Sequence, residues 1–272
     1  MDNTQNILII RSMFCPDEYN FHITIDNLIN LFDLVKISDI KSISLHFILL
    51  GWVKKDEYKN IISKLIQNNS YLFITHYIFY WPLNYGKYYL FNKIKQITNL
   101  LDNYYIFYSD HDIVFPLPTF PKNFFTIGIS VFDNDPKIGL IALNQIDDIR
   151  HQNDIYQNNI EINNIHLIYP NDCNFGSIAD GCFIVRSHAF HLIESFHLYN
   201  VYGLDDYYLV KKLYDKNYKS LVFMNIFIKH PFYYNIEYSN WKKKQILDMI
   251  TGENINYYLK IQESMNFWNS FM

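Results

Sequence analysis

Two aspartates, Asp110 and Asp112, stand two residues apart in the stretch YIFYSDHDIVF of residues 105–115. An apolar and aromatic run leads into them and another leads away. Both carboxylates therefore lie just past a buried strand and can face one pocket. Carboxylate oxygens suit hard divalent cations such as Mg2+ and Mn2+. A cation held there would neutralise a diphosphate and help it leave. The plain alternative is a solvated turn after a strand, where Asp is common.

Four further groups have the chemistry to join such a site. In YGLDDYYL, residues 202–209, a Gly precedes Asp205 and Asp206, which precede a helical pattern. Acids at a helix start are stabilised by its dipole and cap it, but a carboxylate held there would also serve as a general base toward a hydroxyl. His230, in KHPF, ends a strand pattern. A lone His is commonly structural or exposed, yet imidazole is a good ligand for Mn2+. Gly181 opens the strand pattern GCFIVR, where the missing Cβ permits close approach of a ligand. Asn84 to Lys87, NYGK, brings a Gly, a helix start and a cation together, all suited to a phosphate. It has neither a P-loop nor a dinucleotide-binding glycine pattern.

The elements that must position these groups follow from periodicity. Strands are expected at residues 6–11 (NILIIR), 42–50, 71–77 and 104–108, with helices at 23–35, 56–67 and 87–101 between them. This alternation implies a parallel, doubly wound sheet, and ligands bind at the carboxyl ends of such strands. That is where Asp110 and Asp112 fall. Beyond residue 116 the chain reads differently. Strands are expected at 124–131, 139–142, 182–186 and 221–229, and helices at 187–196 (with Ser187 as cap), 204–216 and 246–268. Residues 145–174 are rich in Asn and Asp without a clear period, and are read as a long insertion or a mobile lid. No repeat or linker divides the chain, so residues 1–272 are expected to form one domain.

Composition narrows the class. The chain has 272 residues, is 50% hydrophobic and carries a formal net charge of -4. Nucleic-acid binders usually present a basic face, so this class is not expected. The 24 Tyr and 22 Phe do not argue for a stacking surface, since Asn, Ile, Lys, Tyr and Phe share AT-rich codons and all are heavily used. Cys15, Cys173 and Cys182 are odd in number and widely spaced, which points to a reducing compartment rather than a disulfide framework. No apolar stretch reaches membrane-span length. The expectation is a soluble, cytoplasmic protein.

In their order along the chain (NYGK, helix, strand, DHD, DGCFIVR, helix, GLDD, helix, strand, HP) these pieces resemble the GT-A glycosyltransferases, nucleotide-sugar enzymes with a DxD motif. The resemblance spans residues 7–231. It is nearest to the family 2-like inverting enzymes and the galactosyltransferase C-terminal region. Their Trp-Gly-x-Glu-Asp matches Tyr202-Gly203-Leu204-Asp205-Asp206, and their G-x-x-x-x-R strand matches Gly181 to Arg186. The resemblance implies a Rossmann-like mixed central sheet flanked by helices. Residues 1–115 would form the nucleotide-binding half, and residues 116–272 the acceptor half with a helical tail.

The resemblance also implies roles. Asp112 and His230 would ligate Mn2+ or Mg2+, and Asp110 would sit near the metal or the ribose. Asp206 would be the catalytic base, and Asp205 would hydrogen-bond the acceptor or the donor sugar. Gly181 would line the donor-sugar site, Arg11 would meet the nucleotide, and Asn84 and Lys87 would lie near the diphosphate. Trp241 and the following lysines would belong to a closing loop, or to a solvated face. The implied partners are a UDP-sugar, less favourably a GDP-sugar, and a glycan or glycoconjugate acceptor. Two departures stand out: Asp205 shortens the usual Glu, and Tyr202 replaces the usual Trp. Two other readings use the same residues. One is a metal-dependent nucleotidyltransferase or sugar-nucleotide phosphohydrolase, and the other is a non-catalytic sugar-nucleotide-binding module.

Overall fold

A computed structural model describes residues 5–40, 43–69, 75–81, 86–98, 104–146, 158–169, 181–193, 205–231 and 240. Its centre is β1 (Gln5–Cys15), whose apolar residues run almost without interruption, as a strand buried on both faces requires. Alternate side chains go to opposite layers. Ile7 and Ile9 pack in one core and Leu8 and Ile10 in the other. The first core is covered by α1 (Glu18–Ile37), α2 (Asp56–Asn68) and α4 (Phe124–Asn134) through Leu28, Leu31, Ile62, Phe124 and Phe125. The second is covered by α3 (Gly86–Thr98), α5 (Ser187–Leu192) and α6 (Asp205–Asp215) through Phe91, Ile94, Phe190, Leu209 and Leu213.

Among the described residues the sheet has nine strands, in the order β3-β2-β1-β4-β8-β5-β9-β7-β6. The remaining strands are β2 (Ile43–Val53), β3 (Thr75–Trp81), β4 (Tyr104–Ser109), β5 (Ile138–Gln145), β6 (Asn158–Ile162), β7 (Ile165–Tyr169), β8 (Cys182–Arg186) and β9 (Lys219–Ile228). The β3-β2-β1-β4 portion is parallel throughout, as the alternation of strands and helices implies. Beyond it β8 runs antiparallel to both β4 and β5, and β9 runs parallel to β5. The whole is a mixed α/β sheet flanked by helices. Among the described residues no helix is long and apolar enough to cross a membrane.

Three expectations are corrected. Residues 124–131, expected as a strand, belong to α4, because Phe124, Phe125, Gly128, Ile129 and Phe132 recur at helical spacing and are all buried there. The residues between 145 and 174 that are described include a hairpin, β6 paired antiparallel with β7. Its turn residues Asn163 and Asn164 have φ of 53° and 62°, the conformation that Asn tolerates and two-residue hairpin turns need. Ser187 is the first residue of α5 rather than its cap, which is Arg186. The helix expected at 246–268 lies outside the described residues.

Candidate active site

Strand order decides where a site can be. The chain leaves β1 through α1 toward β2 and β3, then returns through α3 on the opposite face to β4, on the other side of β1. Between β1 and β4 the order reverses, which opens a crevice at the carboxyl ends of these strands. Arg11 and Ser109 pair across it, and Asp110, His111 and Asp112 follow directly from β4.

The turn after β4 is held by side chains from β1 and α1. Arg11 is fully buried. Its guanidinium donates to Ser109 Oγ at 3.0 Å and to the carbonyls of His111 and Ile113, both at 2.9 Å. Burial pulls its pKa down to about 10, against the pull of Asp112, Cys182 and Asp110, so it is still charged at neutral pH. Asn27 Nδ2 donates to the His111 carbonyl at 3.1 Å. Asn30 grips Phe115 from both sides, donating to its carbonyl at 3.0 Å and accepting its N–H at 2.7 Å. The His111 N–H donates to Ser12 Oγ at 3.0 Å.

Within this frame the two aspartates have different company. Asp110 Oδ1 accepts from Tyr108 Oη at 2.5 Å and from Ser12 Oγ at 3.3 Å, while Lys87 Nζ lies 2.7 Å from its Oδ2. Asp112 Oδ2 lies 3.2 Å from His230 Nε2, and its Oδ1 lies 3.9 Å from His111 Nδ1. His230 comes from the far end of the chain. An antiparallel bridge between Val114 and Lys229, with both N–H···O bonds at 2.9 Å, carries it there. Burial alone would raise the Asp112 carboxyl, but His111 and His230 outweigh it and hold Asp112 well below the usual carboxylate range. The His111 imidazole is lowered by burial despite its acidic neighbours.

Gly181 closes the Asp110 side. Its carbonyl accepts the Asp110 N–H at 2.7 Å and its φ is +79°. A Cβ on it would come 2.8 Å from Asp110 Oδ2. Gly181→Ala is therefore expected to lower the unfolding free energy by about 1–3 kcal/mol and to displace the Asp110 carboxylate. Urea unfolding of the variant checks the first effect. A midpoint equal to the parent's would mean that the backbone relaxes freely here.

The structure brings Lys87, Asp110, Asp112, Gly181 and His230 to one end of the central strands. Asp205 and Asp206 open α6, which packs against β9 and β5, while their side chains lie outside what is described. So do Asn84 and Trp241 with the lysines that follow it. Arg11, expected at the nucleotide, is instead enclosed and bound to the turn. Among the described residues no group of three or more His, Cys, Asp and Glu is arranged to hold a metal ion. Sequence reasoning missed Ser12, Asn27, Asn30 and Tyr108. The signal for Asn27 was present: Asn20, Thr24, Asn27 and Leu31 form one buried face of α1, and polar side chains on a core-facing stripe need partners. Nearby, Phe14 packs edge-on to Trp52 with ring centroids 5.4 Å apart and lies 5.2 Å from the His111 ring, an aromatic wall beside the crevice.

No protein-family model matches the chain, and no curated protein does. Solved structures do. The crystal structure of GalNAc-T7 with UDP, GalNAc and Mn2+ is similar at a TM-score of 0.57 and 10% identity, over 85% of this chain and 44% of that one. The fold is GT-A-like. The inositol-1-phosphate CTP transferase from T. maritima is similar at a TM-score of 0.47 and 15% identity, over 90% and 97% of the two chains. CMP:2-keto-3-deoxy-manno-octonic acid synthetase complexed with CTP is similar at 0.45 and 6%, over 89% and 98%. These two weaker likenesses add nothing to the GT-A-like assignment. The chain spans less than half the length of the GalNAc-T7 chain, and at 10% identity the likeness is one of fold.

Proposed function

We propose that the protein is a metal-dependent glycosyltransferase that moves a sugar from a UDP-sugar to an acceptor hydroxyl with inversion. The observation that carries this reading is the Asp110–His111–Asp112 turn, clamped at the point where the strand order reverses, with His230 bridged onto Asp112. A carboxylate held deprotonated beside an imidazole is a fitting donor pair for Mn2+, and Mg2+ is the alternative. Asp112 and His230 would hold the cation, and Asp110, whose Oδ2 lies against Lys87 in this structure, would be the further carboxylate. When bound, it supplies positive charge against the departing diphosphate.

The chain's own groups do the rest. Asp206, in the first turn of α6, accepts the proton of the acceptor hydroxyl. The acceptor oxygen forms its bond to the anomeric carbon as the bond from that carbon to the diphosphate oxygen breaks, and UDP leaves. Asp205 hydrogen-bonds the acceptor or the donor sugar. Gly181 lines the donor-sugar site. Asn84 and Lys87 lie toward the diphosphate, and the Phe14–Trp52 wall supplies an apolar face for the nucleoside.

The test is release of UDP from a panel of nucleotide sugars with Mn2+, with and without EDTA and acceptors. Release from one donor, abolished by EDTA, is expected, and Asp206→Asn should retain donor binding and lose transfer. Transfer at the parent's rate in that variant would remove Asp206 as the base. No release from any donor, together with no thermal shift by UDP plus Mn2+, would overturn the reading. Pyrophosphate release from a nucleoside triphosphate would move the protein to the nucleotidyltransferases, whose paired carboxylates on an α/β sheet the same turn would also suit.

A further inference from the structure

The company of Asp110 differs in kind from that of Asp112. Its Oδ1 accepts from Tyr108 and Ser12, its Oδ2 faces the Lys87 ammonium at 2.7 Å, and the Gly181 backbone walls the side where a Cβ would strike Oδ2. The Lys87 side chain is 21% exposed and that of Asp110 14%, so water screens the pair weakly. We propose that Lys87 is a built-in counter-cation: it occupies Asp110 in the donor-free protein, keeps that carboxylate from the divalent cation, and is surrendered to the donor's phosphates on binding. The inference rests on the reading that a cation and a UDP-sugar bind here.

The physical reasons are those of charge and reach. An ammonium and a divalent cation repel one another and cannot both sit on one carboxylate oxygen without cost. Lysine is a compact point charge on a flexible stem, so it can exchange one anion for another. Its backbone stays put meanwhile, since α3 is anchored in the core by Tyr89, Leu90, Phe91 and Ile94. A diphosphate arriving near Lys87 competes for the ammonium and frees Asp110 to join Asp112 and His230. Cation and donor should then each tighten the other's binding by the same factor, since linkage is reciprocal.

The experiment is a calorimetric titration of Mn2+ into the whole protein, with and without saturating UDP, for the parent, Lys87→Met and Lys87→Arg. Lys87→Met is expected to bind Mn2+ alone about tenfold tighter than the parent, with most of the UDP-linked enhancement gone. Lys87→Arg keeps the charge and should bind Mn2+ alone as the parent does. Unchanged or weaker Mn2+ binding by Lys87→Met would overturn the proposal, as would an equal gain in Lys87→Arg. Asp110→Asn gives an independent arm if Lys87→Met does not fold. It should weaken Mn2+ binding more with UDP present than without, and an equal loss in both conditions would overturn the proposal. A parent protein that binds neither Mn2+ nor UDP overturns this inference and the glycosyltransferase reading together. A parent that binds both while Lys87→Met matches it overturns this inference alone.

Discussion

Asp112→Ala is expected to cut Mn2+-dependent UDP release by about a thousandfold, the order of several kcal/mol that a bound cation contributes against developing charge. The size of the effect follows from position. Asp112 is the acid that lies against both His111 and His230, and its carboxyl is held charged by those neighbours despite burial. Without it, the imidazole of His230 has no carboxylate beside it in that pair to share a cation with. The turn itself should survive. Its shape is set by Arg11 and Asn27 on the His111 carbonyl, Arg11 on the Ile113 carbonyl and Asn30 on Phe115, and none of these bonds uses the Asp112 side chain. Loss of activity with an unchanged urea midpoint and unchanged far-UV circular dichroism is therefore the expected pattern. Mn2+ affinity, measured by titration on the same preparation, should fall in parallel. Undiminished Mn2+ binding in Asp112→Ala would place the cation elsewhere.

The parallel half of the fold was legible because its signals are local. Buried parallel strands read as continuous apolar runs, and β1, β2 and β4 are such runs. Boundaries moved where a single polar contact decides them. The helix expected from residue 23 begins at Glu18, because Asp17 caps it by accepting the Asn20 N–H at 2.8 Å. The misread stretch of α4, FFTIGISV, is rich in aromatic and β-branched residues, which imitates a strand. What overrides propensity there is packing. Gly128 lets the helix approach β8 so closely that a Cβ would lie 2.6 Å from Ile184 Cδ1. The turn of the β6–β7 hairpin is Asn-Asn rather than the more telling Asn-Gly, so the hairpin lay hidden in an Asn-rich stretch.

The site was legible in its acids and illegible in what holds them. Asp110 and Asp112 announce themselves by breaking an apolar run. That His230 reaches Asp112 depends on the pairing of Val114 with Lys229, a contact between residues far apart in the chain, which no local pattern encodes. The same holds for Lys87 and Asp110. Arg11 shows a third kind of limit. A cation at the end of a buried strand can point to a ligand or turn inward to carbonyls, and the sequence pattern is the same for both.

Arg11→Met should accordingly behave as a folding variant first. Methionine fills much of the arginine's volume but donates nothing. The carbonyls of His111 and Ile113 and the Ser109 hydroxyl would each lose a donor. The His111 carbonyl keeps its bond from Asn27, and the other two, left without this donor, cost about 1–3 kcal/mol each. Against this stands a relief, since burial opposes the charge and lowers the Arg11 pKa to about 10. The two orphaned acceptors outweigh that relief, and a net loss of about 2–4 kcal/mol is expected. Arg11→Lys should recover part of it, because an ammonium retains charge but cannot span acceptors that a planar fork reaches together. Urea unfolding of both variants measures the order parent, Lys, Met. Where the variants remain folded, the turn should be looser and Asp112 less firmly held against His230, and Mn2+ affinity should drop without any change in the residues proposed to hold the cation. A Met variant with the parent's midpoint and the parent's Mn2+ affinity would mean that Asn27, Asn30 and Ser12 suffice to hold the turn, and that Arg11 is buried for another reason.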